Sequence, residues 1–532
     1  MQTFTILAVL LAIAVALAVA ARRLGLPYAV ALVLAGMALA LLPGLPAHLG
    51  EVRLDPRLAM AVFLPPLLQA SAFVTPLRDF RRSLRPILLL AVGLVGFTTI
   101  SVGIATRMIF PDMPWALCFA FGALISPPDA AAAAAVLSAA RLPRRVITVL
   151  EGESLLNDAS GLVLFNLAVA AIATGTFSAW GAAATFVWLA AGGLAAGWAS
   201  GRLASLIASR LAEPMLEISV SFLAAFGSFA AAEAIGASGL LAAVASGLTM
   251  AWHAPEWSTP RTRIAAAAVW EFAAFLLNTV VFTLIGLELR GIFDRFGGLP
   301  PAWFLGDALL LSAVLIASRF VWTFPVAYGH RALFPAIRRV DPYPPWRHVL
   351  LMCWAGMRGV VSMAAALSIP AGVPGRDAVL ALTFIAILVT LVVQGTTLAP
   401  LARLLGVAAG PAPPGPTDAA VRRRLAEAAV RHLTSRHHDE MIGPFARDLT
   451  PGYAARAEAE RLREANPAAA EAERLALAGL GLEALAIQRT LLFGMYRAQE
   501  VDDQTMRALL EELDLEELRV RRTGEGAGRH EQ

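Results

Sequence analysis

The run WALCFAFGALISPPDAAAAAAVL, residues 115–137, is apolar and long enough to cross a bilayer, but two consecutive prolines interrupt it. Pro127 and Pro128 remove two backbone N–H donors, so a regular helix cannot continue through them. The charged Asp129 follows directly. A span that is broken in its interior and carries a charge at the break is typical of a membrane helix that lines a transport site.

A second apolar run, VLLMCWAGMRGVVSMAAAL at residues 349–367, carries a comparable interruption. Here Gly356 and Gly359 flank Arg358. The chain therefore has two predicted broken helices, one with an acidic and one with a basic residue at its break.

Apolar runs recur from Thr3 to about Leu405, and roughly thirteen of them have the length of about 20 residues that a bilayer requires. The broken runs are the fifth and the twelfth. Because this offset is odd, the two run in opposite directions, which predicts inverted repeats of about six spans. The sequence thus predicts an all-α polytopic membrane protein in which two broken helices cross at the midplane.

Composition agrees with this prediction. Of the 532 residues, 58% are hydrophobic and only 15% are charged, and the mean hydropathy is +0.67. Cys118 and Cys353 both lie inside predicted spans, which does not fit an extracellular disulfide framework. We expect no cofactor and no nucleic acid as partner; the expected partners are the lipid bilayer and small ions.

Arginines, which account for all basic side chains, concentrate in every second predicted connection. By the positive-inside rule these connections are cytoplasmic, which predicts an external N-terminus and a cytoplasmic C-terminus. One such connection contains Arg78, Arg81, Arg82 and Arg85.

The composition changes after the last span and divides the chain into three predicted parts. Residues 1–405 form the transmembrane domain, with a dimer and a core subdomain, and residues 406–418 form a Pro/Gly linker. Residues 419–532 are rich in Ala, Glu, Arg and Leu at helical spacing, which predicts a helical cytoplasmic domain. We expect its end, from residue 521, to be disordered.

The candidate site lies in GESLLNDAS, residues 152–160, within the sixth span. Asp158 is about ten residues into this span, roughly 15 Å, which is half the hydrocarbon thickness. Ser154 and Asp158 are four residues apart and share a helix face, where their oxygens suit a small hard cation. The carboxylate can take a proton instead. A site that holds either a proton or a cation, never both, is the minimum requirement for exchange.

Other buried polar residues receive supporting roles. We expect Glu153 to pair with Arg358, and Asp129 to complete this core charge network. Arg319, in the eleventh span, either snorkels or pairs with a core carboxylate. Because Asn157 is neutral, one proton would exchange for one monovalent cation, without net charge movement.

Several segments together resemble bacterial Na+/H+ antiporters of the monovalent cation:proton antiporter superfamily, in the sodium/proton exchanger branch. The segments are FLPPLL, ISPPDAAAA, EGESLLNDASGLVLF, FLLNTVVFTLIGLEL and WAGMRGVVSMAAALSIP. They occur in the expected order, and the likeness covers most of residues 1–405. It implies a homodimer with the NhaA-type antiporter fold in a bacterial inner membrane.

The resemblance also implies roles for individual residues. Asp158 with Asn157 supplies the exchange carboxylate, Ser154 helps to bind the cation, and Glu153 pairs with Arg358. The family usually has Thr-Asp at the fifth-span break, where a backbone carbonyl faces the ion; here Pro128 keeps the carbonyl but has no hydroxyl.

Many members also carry an acidic residue in the third span, where this chain has Ala70. These two departures leave the choice among Na+, K+ and Li+ open, with Na+ expected first and K+/H+ exchange as the alternative.

Two features of the sequence suggest other functions. GASG, residues 236–239, matches a short pattern of intramembrane serine proteases, but no histidine lies inside a predicted span to act as the base. The sequence therefore disfavours an enzyme. A cation channel with a sensing tail is the other alternative, but a channel does not require a carboxylate that exchanges its proton for the ion.

Overall fold

The computed structural model describes residues 15–16, 27–41, 56, 59–129, 143–175, 179–211, 213–298, 300–407 and 418–528. Throughout these ranges the regular elements are helical. The chain divides into two compact units, residues 1–410 and 411–532, which are described separately.

The helices of the first unit follow the apolar runs of the sequence. They are α1 (Tyr28–Leu41), α2 (Leu64–Val74), α3 (Leu77–Arg82), α4 (Leu84–Leu88), α5 (Val95–Ile109), α6 (Trp115–Ile125), α7 (Arg144–Thr174), α8 (Ala179–Ala208), α9 (Pro214–Ala234), α10 (Gly239–Trp257), α11 (Pro260–Phe296), α12 (Ala302–Leu333), α13 (Pro335–Val340), α14 (Trp346–Trp354), α15 (Val360–Leu367), α16 (Arg376–Val389) and α17 (Gly395–Leu404). π-helical segments precede α2 and join α4 to α5 and α16 to α17.

Among the described residues, eight helical segments are long and apolar enough to cross a membrane; seven belong to the first unit and one, Ala472–Arg497, belongs to the second, and shorter apolar helices accompany them. The chain is thus an all-helical membrane protein, as the sequence predicts. The first predicted span lies almost entirely outside the described residues, so the total of thirteen stays a prediction.

Both predicted interruptions fall where the sequence places them. Helix α6 ends at Ile125, and residues 126–129 are not helical; the remainder of that run lies outside the described residues. The other break separates α14 from α15 at residues 355–359. Prolines explain the first interruption, because they lack backbone donors. At the second, glycines flank the arginine.

Close helix contact between α1 and α11 rests on two glycines. A Cβ on Gly36 would lie 2.3 Å from the carbonyl oxygen of Thr283 and 2.9 Å from Cα of Gly286. Small residues allow such an approach of two backbones within a membrane. The contact sets Tyr28, at the start of α1, against the ring of Phe282.

An ion cluster at the ends of two apolar spans connects the helices that carry the candidate site. Arg145 at the start of α7 and Arg331 near the end of α12 both bind Asp341, just before α14. Burial works to raise the pKa of Asp341, but hydrogen bonds and charge from Arg145 and Arg331 outweigh it and lower the pKa. The carboxylate therefore stays ionised at neutral pH and keeps the three helix ends together.

The second unit contains four helices. They are α18 (Asp418–Ser435), α19 (Gly443–Ala465), α20 (Pro467–Arg497) and α21 (Asp503–Gly528). Helix α21 includes residues 521–528 of the segment predicted to be disordered, residues 529–532 lie outside the described part, and the disordered end stays a prediction. An ion pair between Glu517 and Arg521, four residues apart, supports the last turns of this helix.

We expect Gly36→Ala to destabilise the membrane unit by about 1–3 kcal/mol, the usual cost of overpacking, because its Cβ has no room between α1 and α11. Thermal unfolding in detergent measures this. Gly96→Ala is the matched control, since a Cβ there meets nothing within 4 Å. Equal unfolding temperatures for the two variants would contradict the close contact.

Candidate functional site

Helix α7 carries four predicted site residues without interruption across its 31 residues. Glu153, Ser154, Asn157 and Asp158 are all buried. The helix approaches the first break closely, because a Cβ on Gly161 would lie 2.3 Å from Cγ of Pro127. The absence of a side chain at Gly161 thus lets the break lie directly against α7.

The backbone carbonyl of Pro128 joins this break to α7. It accepts hydrogen bonds from Oγ of Ser154 and from Nδ2 of Asn157, each 3.1 Å long. The other amide atom, Oδ1 of Asn157, is buried and has no hydrogen-bond partner within the described part of the chain. Three oxygens of the kind that bind small cations therefore lie together at the part of α7 that carries Asp158.

The two breaks are in direct contact with each other. The backbone N–H of Asp129 donates to the carbonyl oxygen of Met357 at 2.7 Å. The carboxylate of Asp129 lies against Gly359, because a Cβ there would fall 1.7 Å from Oδ2. Asp129 is thus at the N-terminal end of α15, where a negative charge is favourable.

Arg358 stabilises the opposite helix end. Its guanidinium donates to the carbonyl of Ser126, immediately after α6, and its backbone N–H donates to Oγ1 of Thr390 at 3.1 Å. A positive charge at the C-terminal end of a helix offsets the partial negative charge there. Each break therefore supplies the charge that compensates the end of the other broken helix.

Two fixed charges act on the buried carboxylate of Asp158. Asp129 repels its negative form, and Arg358 attracts it. Either a cation or a proton can neutralise the carboxylate of Asp158, so binding one disfavours the other. The arrangement can therefore perform exchange.

The predicted pair of Glu153 and Arg358 is wrong. Glu153 instead accepts two hydrogen bonds from Arg319, of 2.5 and 2.7 Å, and both side chains are almost completely buried. Arg319 also donates to the carbonyl of Met352 at 3.0 Å. The guanidinium of Arg358 is occupied at the end of α6, whereas α12 presents Arg319 in the planar two-bond geometry that suits a carboxylate. Of the two roles left open for Arg319, pairing is the one observed.

Three polar residues near the site received no role from the sequence. The side chain of Tyr28 lies close to Asn278 and within the electrostatic range of Asp129. Thr390 accepts the backbone N–H of Arg358. The sequence could have indicated Asn278, because this residue lies in one of the segments that resemble the family. No sequence feature indicated Tyr28 or Thr390.

Ala70 is associated with a different cavity. Together with Glu217, Ser221, Trp270 and Glu271 it lines a space of about 670 Å³. The acidic side chains there come from α9 and α11, not from α2.

Comparison with known proteins identifies the family. The sequence model of the transmembrane sodium/hydrogen exchanger family matches residues 7–404. The chain belongs to the sodium/hydrogen exchanger family. This sodium/hydrogen exchanger is accordingly a cation/proton antiporter and not an enzyme.

Relatives of this sodium/hydrogen exchanger extend the comparison. An uncharacterised Na+/H+ exchanger of Mycobacterium tuberculosis is 33% identical over 513 residues, covering 94% of this chain and 92% of that protein. A sodium, potassium, lithium and rubidium/H+ antiporter of Bacillus pumilus is 33% identical over 338 residues, covering 60% of this chain and 49% of the relative.

The fold is similar to the solved sodium proton antiporter MjNhaP1 of Methanocaldococcus jannaschii, with a TM-score of 0.58 at 19% identity. That similarity covers 76% of this chain and all of MjNhaP1.

We expect Arg319→Gln to destabilise the protein by about 3–5 kcal/mol, because it leaves Glu153 buried without a partner. A double-mutant cycle with Glu153→Gln should show strong coupling, since the double variant removes both charges. The control is the cycle of Glu153→Gln with Arg358→Gln, measured by the same unfolding assay. Equal or stronger coupling in the control cycle would show that Glu153 pairs with Arg358 rather than with Arg319.

Gly359→Ala should abolish transport, because its Cβ would occupy the position of the Asp129 carboxylate and force the two breaks apart. Cation-driven proton movement in vesicles measures the effect. Gly372→Ala, where a Cβ meets nothing within 4 Å, should retain wild-type activity. Full activity of Gly359→Ala would show that contact between the breaks is not required.

Proposed function

We propose that this sodium/hydrogen exchanger exchanges one proton for one monovalent cation, Na+ first, at Asp158 by alternating access. The observation that carries the proposal is the burial of this carboxylate beside oxygen ligands where the two broken helices meet. In this mechanism Asp158 releases its proton to one side and then binds the cation. A movement of the surrounding helices exposes the occupied site to the other side.

Asp158, Ser154, Asn157 and the carbonyl of Pro128 are the proposed cation ligands. Oδ1 of Asn157 contributes an acceptor that has no partner in the described part of the chain. The Pro128 carbonyl has two lone pairs and already accepts two hydrogen bonds, so the cation displaces one of these donors when it binds there. Rotation of the Ser154 hydroxyl breaks its hydrogen bond and frees one lone pair of the Pro128 carbonyl for the cation, at little cost in free energy.

A stoichiometry of one to one follows from charge pairing around the site. Glu153 and Arg319 neutralise each other, and the opposite charges of Asp129 and Arg358 compensate two helix ends. Asp158 is then the single carboxylate that changes its charge in the cycle. Exchange of one proton for one monovalent cation leaves the net charge movement at zero.

Potassium/proton exchange is the alternative, and lithium is a further candidate. The Bacillus pumilus relative is named for sodium, potassium, lithium and rubidium, so one ligand set of this family accepts several cation sizes. The proposed carbonyl and amide oxygen ligands can select among cations by size only through the spacing between the ligands. We rank Na+ first because the relative of Mycobacterium tuberculosis and MjNhaP1 are both named for sodium.

The proposed setting is a bacterial inner membrane, with the N-terminus outside and the second unit in the cytoplasm. About thirteen spans, arranged as inverted repeats in a homodimer, complete the proposal. Its physiological role would be the homeostasis of sodium and pH.

Everted, acid-loaded vesicles containing a pH-sensitive dye test the function. Addition of Na+, K+ or Li+ to the wild type should produce alkalinisation, and the order of the responses ranks the cations. Asp158→Asn should reduce every response to background, because an amide cannot exchange a proton for a cation. Asp112→Asn, which alters an exposed carboxylate in the turn before α6, should behave as the wild type.

Stoichiometry and the channel alternative require a second readout. Imposing a membrane potential should leave the rate unchanged if the exchange is electroneutral; a potential-dependent rate would reject one-to-one exchange. Flux of the radioactive cation without proton movement would favour a channel. An undiminished response in Asp158→Asn would exclude this residue as the exchange group.

A further inference from the structure

Helix α20 in the second unit already uses one of its faces. Ala478, Leu485 and Leu492 recur every seven residues and are buried. They share a side of the helix with Gly481, which contacts Val520 of α21, and with Arg489, which forms ion pairs with Asp514 and Glu517. This face accounts for the packing between α20 and α21.

A second apolar face of α20 is exposed. Leu477, Leu480, Ile487 and Leu491 are 62%, 63%, 70% and 64% exposed. Together with small residues they form a seam that alternates steps of three and four along the helix at 477, 480, 484, 487, 491 and 494, and it continues to 498 in the turn after the helix ends at Arg497. Sustained three-four spacing over three heptads is the pattern of a helix that packs against another helix.

The small residues of the seam leave a groove on its C-terminal half. Ile487, Leu491, Gly494 and Ala498 line this groove of about 680 Å³ together with their neighbours. A Cβ at Gly494 would meet nothing within 4 Å. Large side chains at one end and small ones at the other are complementary when two such helices lie antiparallel.

We propose that the seam pairs with the seam of a second copy of this chain, in antiparallel orientation and centred on residue 489. Ile487 then packs against Leu491 of the second copy, and the reverse contact occurs across the two-fold axis. Ala484 faces Gly494 of the second copy, and Leu480 fills the space left by Ala498. At both ends of the paired segment a large side chain lies opposite a small one, and Leu477 lies beyond the paired positions.

Charges beside the seam select both the partner and its direction. Glu483 and Arg497 occupy equivalent flanking positions, and neither forms an ion pair with another described residue of its own chain. Antiparallel pairing brings Glu483 opposite Arg497 of the second copy, twice in each dimer. Parallel pairing would place Glu483 opposite Gln488 and would form neither ion pair.

A lipid surface fits the same face less well. Helices that lie on membranes usually carry basic residues along the borders of their apolar face. The borders of this seam carry Glu483, Gln488 and Thr490, and a single basic residue, Arg497, stands at the C-terminal end. An acidic residue beside the centre of the face favours a protein partner with a complementary positive charge.

Site-directed cross-linking of the full-length protein tests the pairing. Cys118 and Cys353 are first replaced by Ala, and copies bearing Leu480→Cys are co-expressed with copies bearing Ala498→Cys. A short bifunctional thiol reagent should link these two positions. Leu480→Cys alone should not link to itself, because antiparallel pairing separates the two positions by 18 residues, about 27 Å along the helix.

The controls separate pairing from random collision and from lipid contact. Phe493→Cys is exposed on another side of α20 and should give no link. Glu483→Arg should lower the yield roughly tenfold by turning two attractions into repulsions, and added Arg497→Glu should restore it.

Three outcomes would overturn the proposal. One is efficient linking of Leu480→Cys to itself, which indicates parallel pairing; another is the absence of a link between 480 and 498. The third concerns an environment-sensitive dye attached to the cysteine of Ile487→Cys. If this dye is shielded from water only when anionic phospholipid vesicles are present, the seam contacts lipid and not a second copy.

Discussion

The membrane unit depends on one constraint, which is that polar groups at the ends of interrupted helices must be satisfied inside the protein. Helix α6 stops at Ile125 and α15 begins only at Val360, so both present unpaired backbone groups within an apolar environment. Arg358 stabilises one end, and Asp129 stabilises the other. The hydrogen bond between the Asp129 backbone and Met357 connects the two directly. Without this reciprocal compensation the contact between the two breaks would be costly.

The same constraint separates structural from exchangeable charge. Glu153 is one residue from Ser154 on α7, yet its carboxylate is held by two hydrogen bonds from Arg319. A buried ion pair of this kind is costly to break, because separating the partners leaves an uncompensated buried charge. Asp158 lies on another side of the same helix, under the opposing influence of Asp129 and Arg358. One helix thus carries a permanent ion pair and, by our proposal, the group that changes its charge.

Predictions from the sequence were correct where a local physical rule allows only one backbone structure. Pro127 and Pro128 exclude a regular helix, and the structure interrupts the helix there. Apolar length predicted the membrane helices. The choice between two arginines as the partner of Glu153 was not local, since Arg319 and Arg358 are both buried and both within the range of that carboxylate. Disorder from residue 521 was also predicted from composition alone, whereas an ion pair in the preceding turn supports continued helix.

The sequence by itself determined that this chain is an all-helical membrane protein with two interrupted helices, because bilayer thickness, proline chemistry and apolar run length act within short segments. It also placed Ser154, Asn157 and Asp158 on neighbouring faces of one helix, since helical periodicity fixes those positions. Only the tertiary structure decided that Arg319 pairs with Glu153, that Arg358 stabilises the end of α6, and that Gly359 must lack a side chain beside Asp129. Each of these depends on the distance between atoms far apart in the chain, and such distances are set by how the helices pack rather than by any local pattern.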